Sequence, residues 1–282
     1  MTEPLSCYVL TRDSERRLAD ALSAVRGIAD EIVVVDSGSH DATLDIARDF
    51  GCRIVARPFD NFRNQRVFAE RECAHDWVLQ IDSDEIVSQQ LADEIGALKA
   101  RAFDGGREDA PDGFSVSREW LVLGRPVHVF YPVKAPDRVI RLFRRDRINH
   151  AGSRIIHEYP AGPDRRVVPL AGDLLNYTCD SIDQLYSKIG LYTSLAAQDM
   201  QSRGESANAL KIHLYPWLLA FRCYVLMGGW KDGELGRVHA RYVRDTVYLK
   251  YLKLRHDCAD GQAPKNLHRV SIGPRRQFRE RF

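Results

Sequence analysis

Four short apolar runs, each separated from the next by a segment of helical periodicity, constrain this chain of 282 residues more than any other feature. The runs are Ser6-Cys7-Tyr8-Val9-Leu10, Glu31-Ile32-Val33-Val34-Val35, Arg53-Ile54-Val55-Ala56 and Trp77-Val78-Leu79-Gln80-Ile81. They are too short for typical helices, and β-branched and aromatic residues dominate them, so they predict strands. Between the first two, Leu18, Ala21, Leu22 and Val25 recur at helical spacing. Further helices are expected from about Ala42 to Phe50 and from Phe62 to Ala74. Strand and helix in alternation predict a parallel sheet with right-handed crossovers. Thr11-Arg12-Asp13-Ser14 predicts a turn that supplies the first helix with its N-cap. No Gly-x-Gly-x-x-Gly follows the first strand and no Gly-Lys-Ser/Thr loop is present, which disfavours dinucleotide and phosphate-loop folds.

The fourth run ends in Asp82-Ser83-Asp84-Glu85, three carboxylates within four residues. Open α/β sheets bind ligands at the carboxyl edge of their strands, and these oxygens are expected there. Crowded carboxylates repel one another and call for a cation. Hard oxygen donors suit Mg²⁺ or Mn²⁺, with substrate phosphates completing the shell. A lone Asp-x-Asp reads as readily as a solvated acidic turn. The second run ends in the same way, at Asp36-Ser37-Gly38-Ser39-His40-Asp41, and belongs on the same edge. Asp36 is suited to accept hydrogen bonds from a base or ribose, or to cap the helix that follows.

Residues 86–112 read as a surface helix and a polar loop, and residues 113–118 as a strand. Trp120 to Tyr131 is aromatic and fits an acceptor groove or plain core packing. Arg138-Val139-Ile140-Arg141-Leu142-Phe143-Arg144-Arg145 reads as a strand whose guanidinium groups could neutralise a diphosphate or an anionic acceptor. An amphipathic helix is expected from Ser181 to about Gln201. His213 to Met227 is the most apolar stretch, too short and interrupted to span a bilayer, and fits an interfacial or buried helix. Tyrosines among basic residues from Val238 to Leu254 suit a headgroup layer.

The formal charge of +2 is uneven: residues 211–282 hold 15 Lys/Arg against 6 Asp/Glu, which leaves 26 against 33 for residues 1–210. A basic C-terminal part suggests an anionic partner such as a phospholipid surface. Nucleic-acid binding lacks any reading motif and is not expected. The six cysteines show no zinc spacing, no export signal precedes the first strand, and no run of 18 apolar residues occurs. Reduced thiols in the cytoplasm are expected, at the inner face of the cytoplasmic membrane if the C-terminal part binds lipid.

In order, Val9-Leu10-Thr11-Arg12-Asp13, the run from Glu31 through Asp36 to Asp41, Arg57-Pro58-Phe59, Phe62-Arg63-Asn64-Gln65-Arg66 and Asp76 through Asp82-Ser83-Asp84-Glu85 resemble family 2 glycosyltransferases of the GT-A fold. More narrowly, they resemble the branch that adds glucose to the inner core of lipopolysaccharide. The resemblance implies an α/β fold: a GT-A, Rossmann-like sheet flanked by helices over residues 1–178, a helical membrane-surface extension over 179–260 and a basic tail over 261–282. It places Thr11, Arg12, Asp13, Asp36, Gln65, Arg66, Asp82 and Arg141 about the nucleotide sugar, and Asp84 with Asp82 on a divalent metal, Mg²⁺ or Mn²⁺. The stretch Ile155-Ile156-His157-Glu158 matches the family's apolar-His-Glu motif, which makes Glu158 the general base. The implied reaction moves a hexose, with UDP-glucose the donor, to a heptose of the glycolipid core, with inversion. Other envelope glycans, a polyprenyl phosphate acceptor, or a binding protein that has lost catalysis stay open. The family's His at the position of Asn176 is absent, which puts a metal role for that segment in doubt.

Overall fold

The computed structural model describes residues 3–103, 110–130, 133–151, 160 and 165–257. Two compact units are present, one of Met1–Leu185 with Cys223–Arg237, the other of Tyr186–Arg222 with Val238–Phe282.

The first unit opens with the expected alternation: β1 (Leu5–Thr11), α1 (Leu18–Val25), β2 (Glu31–Asp36), α2 (Thr43–Asp49), β3 (Arg53–Ala56), α3 (Phe62–Glu72) and β4 (Trp77–Asp82). β1 lies parallel between β2 and β4, and β3 extends the sheet beyond β2. Successive strand residues point to opposite faces. Leu5, Cys7, Val9, Val34, Trp77, Leu79 and Ile81 therefore join Leu18, Leu22 and Val25 of α1 in one core. Tyr8, Val33, Val35 and Val78 face the other way, against Ala69 of α3. Gln80 and Asp82 share the parity of Val78, which directs them to the α3 side. The turn after β1 does not cap α1, which begins after Arg17 with no side-chain cap. Its polar groups bind the loop before α2 instead: Ser14 N–H donates to Thr43 Oγ1 at 2.7 Å and Glu15 N–H to Asp41 at 3.0 Å.

Past β4 the sheet becomes mixed. β5 (Glu85–Val87) follows a two-residue turn, then α4 (Gln89–Ala100), β6 (Gly113–Val122), β7 (Arg125–Val127), β8 (Val129–Phe130), β9 (Val133–Lys134), β10 (Asp137–Arg144) and β11 (Val167–Cys179). The strand order is β3-β2-β1-β4-β10-β6-β11-β5, with β7 beside β6 and β8–β9 as a separate hairpin. Sequence reading missed β5, because three residues carry no usable period and the partner segment, Leu174–Asn176, is distant in the chain.

β4 and β5 adjoin in sequence yet stand four places apart in the sheet. Four strand spacings span about 19 Å, whereas three peptide steps from Asp82 to Glu85 reach at most about 11 Å. The strands β4-β10-β6-β11-β5 must therefore curl into a half-barrel with Ser83 and Asp84 at its seam. Tyr177 N–H of β11 donates to the Asp84 carbonyl at 2.9 Å and fastens that seam.

After β11 comes α5 (Ile182–Ser202), where Ser181 Oγ accepts the Gln184 N–H at 3.1 Å as the cap. The second unit holds most of α5, then α6 (Ala209–His213) and α7 (Tyr215–Phe221); a π-helical turn (Arg222–Leu226) and a 3₁₀ turn (Gly229–Asp232) return the chain to the first unit, and α8 (Gly233–His256) runs mostly in the second. Ile189, Met200, Ile212, Leu219, Val243, Val247 and Leu254 are buried in this unit. Lys253 Nζ of α8 donates to Gly190 O, Thr193 Oγ1 and Ser194 Oγ of α5 at 2.7–2.8 Å. Among the described residues no helix is long and apolar enough to cross a membrane.

A register shift in β11 between Pro169 and Asp173 brings Gly172 against α4, where a Cβ would stand 2.4 Å from the Leu91 backbone nitrogen. Gly172→Ala is expected to cost about 1–3 kcal/mol through overpacking. Urea unfolding should show a lower midpoint at unchanged slope; an unchanged midpoint would mean that β11 yields freely.

Candidate active site

The carboxyl ends of β1 and β2 meet at Asp36, which is buried. Its Oδ1 accepts from Thr11 Oγ1 at 3.0 Å and from Ser39 Oγ at 2.5 Å, and its Oδ2 accepts the Gly38 and Ser39 N–H groups at 2.8 and 2.9 Å. Burial by itself would raise this carboxyl, but the Ser39, Gly38 and Thr11 hydrogen bonds outweigh it and hold the pKa below the ordinary value. Asp13, with φ of 48°, ties the two loops together: its N–H donates to Ser39 Oγ at 2.9 Å and its Oδ1 accepts the His40 N–H at 2.8 Å. Arg12 is exposed on the same loop.

Gln65 and Arg66 project inward from α3 rather than outward. Gln65 Nε2 donates to Ser37 Oγ at 3.0 Å and to the Arg57 carbonyl at 3.1 Å, which joins α3 to the Asp36 turn. Arg66 reaches Asp82, donating to its Oδ1 at 3.0 Å, while Arg141 of β10 donates to Oδ2 at 3.3 Å. Each Asp82 oxygen thus faces a guanidinium. Burial would raise the Asp82 carboxyl, and Arg66 and then Arg141 pull it well below the usual carboxylate range. Arg141 also pairs with Glu85, which is fully buried. The Asp82 N–H donates to Glu85 Oε2 at 3.0 Å, so the residue after the turn holds the residue before it.

Around this pair lie Arg118 and Gln80, to which sequence reading assigned no role, and Asn176. Arg118 of β6 stands 3.5 Å from Glu85 and donates to Asp137 Oδ2 at 2.5–3.0 Å. Asn176 of β11 donates to Glu85 Oε1 at 3.3 Å and accepts from Thr178 Oγ1 at 3.0 Å. With its amide oriented to satisfy both sides, Gln80 accepts from Arg66 and Arg141 and donates to the Tyr8 hydroxyl. The one signal in the sequence was strand parity, which sets Gln80 on the face of Asp82.

The structure thus brings Thr11, Asp13, Asp36 and Gln65 into one hydrogen-bonded group and Arg66, Asp82 and Arg141 into another. Ser83 Oγ, 3.0 Å from Ser14 Oγ, links the Asp82-Ser83-Asp84 turn to the loop after β1. Asp84 is half-buried at the seam. Glu158 and His157 lie outside the described residues. Among the described residues no group of three or more His, Cys, Asp or Glu could hold a metal ion by itself. Asp84 with Asp82 fits Mg²⁺ or Mn²⁺ only where phosphate oxygens supply further ligands. Asn176 is engaged by Glu85 and Thr178, so its amide serves the buried network.

Residues 6–119 match the family model described as Glycosyl transferase family 2. The chain is 28% identical to an uncharacterized glycosyltransferase of Rickettsia typhi, over 89% of this chain and 86% of that one. It is 26% identical to the lipopolysaccharide core biosynthesis glycosyltransferase LpsC of Rhizobium meliloti, over 89% of this chain and 92% of the relative. Among solved structures, TarS 1–349 of S. aureus in complex with UDP-GlcNAc is similar at 15% identity over 93% of each chain, with a TM-score of 0.44.

Glu85→Ala would leave the buried Arg141 and the half-buried Arg118 short of a counter-charge and is expected to destabilise the fold by about 3–5 kcal/mol, measured by urea unfolding. Asp36 and Asp82 both have folded pKa values below their unfolded ones. The stability they contribute is present above an unfolded value of about 3.9 and is lost as pH falls through the folded values. Urea midpoints should decline on acidification below about pH 4, and more gently in Asp36→Asn. Equal slopes for variant and wild type would show that Asp36 is not held in its charged form.

Proposed function

We propose, from the premise that this chain is a glycosyltransferase carrying a family 2 domain, that it transfers a hexose with inversion from a nucleoside diphosphate sugar to a heptose of a lipopolysaccharide inner core. The observation that carries this reading is the Asp82-Ser83-Asp84 turn at the carboxyl edge, linked through Ser83 and Ser14 to the loop that Asp36 organises. UDP-glucose is the proposed donor. The relative LpsC, whose name places it in lipopolysaccharide core biosynthesis, supports the acceptor class.

In this reading Asp36, with Thr11 and Asp13 shaping its loop, receives the nucleoside. Gln65 braces that loop from α3. Asp84, with Asp82, takes a divalent ion together with the diphosphate, and Arg66 and Arg141 fix the Asp82 carboxylate. A divalent ion bound there would stabilise charge on the departing diphosphate. An acceptor hydroxyl is a weak nucleophile until a carboxylate removes its proton. Glu158 is proposed as that base on the strength of the apolar-His-Glu motif. The new bond forms from acceptor oxygen to anomeric carbon as the bond to the diphosphate oxygen breaks, and the proton passes to Glu158.

The test is UDP release from UDP-glucose, with a truncated inner-core lipopolysaccharide as acceptor, with and without Mn²⁺ or Mg²⁺. Release should need acceptor and metal, and Glu158→Gln should lower turnover by about 10²–10⁴-fold, the range supplied by general-base catalysis. Asp84→Ala should abolish both turnover and metal-dependent UDP binding. Turnover that survives Glu158→Gln would move the base elsewhere. Metal-dependent UDP binding that Asp84→Ala abolishes, without turnover, would keep the donor site and overturn the acceptor.

A further inference from the structure

The second unit carries an apolar surface that glycosyl transfer does not account for. α7 is apolar or aromatic at every position, and α6 adds Leu210 and Ile212. Ile212, Pro216, Leu219 and Ala220 are buried. The opposite face is equally apolar and open: Leu210 is 65% exposed, Leu214 50%, Trp217 60%, Leu218 53% and Phe221 57%. Trp217 and Leu218 N–H groups donate to the Leu214 carbonyl, so the helical path is nearly continuous from α6 into α7. Steps of three and four residues then set these five side chains along one stripe. Single exposed apolar residues are ordinary, whereas a contiguous run marks an interaction surface. A helix apolar all round is stable only where both sides have apolar surroundings.

Charge distinguishes among the possible surroundings. Between Glu205 and Asp232 the chain has no acidic residue, but it has Lys211, Arg222 and Lys231. Arg222 is exposed immediately after Phe221. Arg244 of α8 lies 4.9 Å over the Trp217 ring, with Asp245 as its ion partner. A second copy docked stripe to stripe would set Lys211 and Arg222 against their own equivalents, with no carboxylate in the strip to pair them, a costly juxtaposition. Residues 258–282 carry 6 Lys/Arg against 2 Asp/Glu and meet the same repulsion. An anionic lipid surface satisfies both parts of the stripe. Apolar side chains enter the boundary between headgroups and acyl chains, and cations remain at phosphate level. Tryptophan, with an apolar ring and a polar N–H, is suited to that depth.

We propose that the Leu210–Phe221 face of α6 and α7 docks on an anionic phospholipid bilayer. This surface lies outside the residues assigned to the reaction above and does not depend on that assignment.

The experiment is co-sedimentation of the full chain with vesicles of phosphatidylcholine alone or mixed with phosphatidylglycerol. The chain should partition onto the mixed vesicles, less so at high salt. The double variant Leu218→Ser, Phe221→Ser should lose about ten-fold or more of that partitioning. Arg222→Ser should lose about five-fold, and on anionic vesicles only. The thermal midpoint and the UDP binding of these variants, measured without vesicles, should match wild type, so a failed donor site would be seen separately. Absence of wild-type partitioning, or equal partitioning of the double variant, overturns the proposal. So does a dimer, seen by light scattering, that the double variant converts to monomer, since the stripe would then join two copies.

Discussion

The ion pair between Arg141 and Glu85 holds together much of what matters in the first unit. Every strand of the half-barrel contributes to it or to its immediate neighbours: Gln80 and Asp82 from β4, Arg141 from β10, Arg118 from β6, Asn176 from β11 and Glu85 from β5. Arg66, Arg118 and Arg141 balance Asp82, Glu85 and Asp137 in charge. Burying charges is expensive even when they are paired, and an apolar core of equal volume would often be as stable. Geometry is what such a network confers. Once the charges are buried, any slip of register separates an arginine from its carboxylate, so the five strands have one compatible arrangement.

That arrangement decides where the acidic turn stands. β4 ends at Asp82, and two residues later the chain enters a strand on the far side of the curl. The turn is held at both ends, by the Asp82 N–H on Glu85 and by Tyr177 on the Asp84 carbonyl. Asp82 pairs through one oxygen with Arg66 and through the other with Arg141, which fixes its carboxylate at the edge. The loops after β1 and β2 are laced together by Asp13, Ser14, Glu15, Ser39, Asp41 and Thr43, which gives Asp36 a rigid surround with few apolar side chains.

Residues 6–119, which match the glycosyl transferase family 2 model, contain both Asp36 and the Asp82-Ser83-Asp84 turn of this edge. The helical second unit has a different character. Ile189, Met200, Ile212, Leu219, Val243 and Val247 are buried, yet Leu210, Leu214, Trp217, Leu218 and Phe221 of α6 and α7 and their junction stay exposed. Surface of this kind is unfavourable in water and is retained where something apolar covers it.

The order of strands and helices through β4, the amphipathic helix that starts near Ser181 and the position of Asp36 and Asp82 at strand ends were all legible in the sequence. Each depends on a local period or on a neighbour a few residues away, and local chemistry is what a sequence displays. Capping residues at 11–14 misled, because Ser14 and Glu15 found partners in the α2 loop. β5 stayed hidden because its only evidence is a partner strand far along the chain. The same holds for the buried network. Composition cannot distinguish Glu85, Arg118 or Asp137 from solvated surface charge, and only the family resemblance, not the residues themselves, set Gln65 and Arg66 apart from ordinary helix surface. Tertiary structure alone decided which charges lose water together, since desolvation and Coulomb pairing depend on what the curled sheet brings within a few ångströms, whatever the separation along the chain.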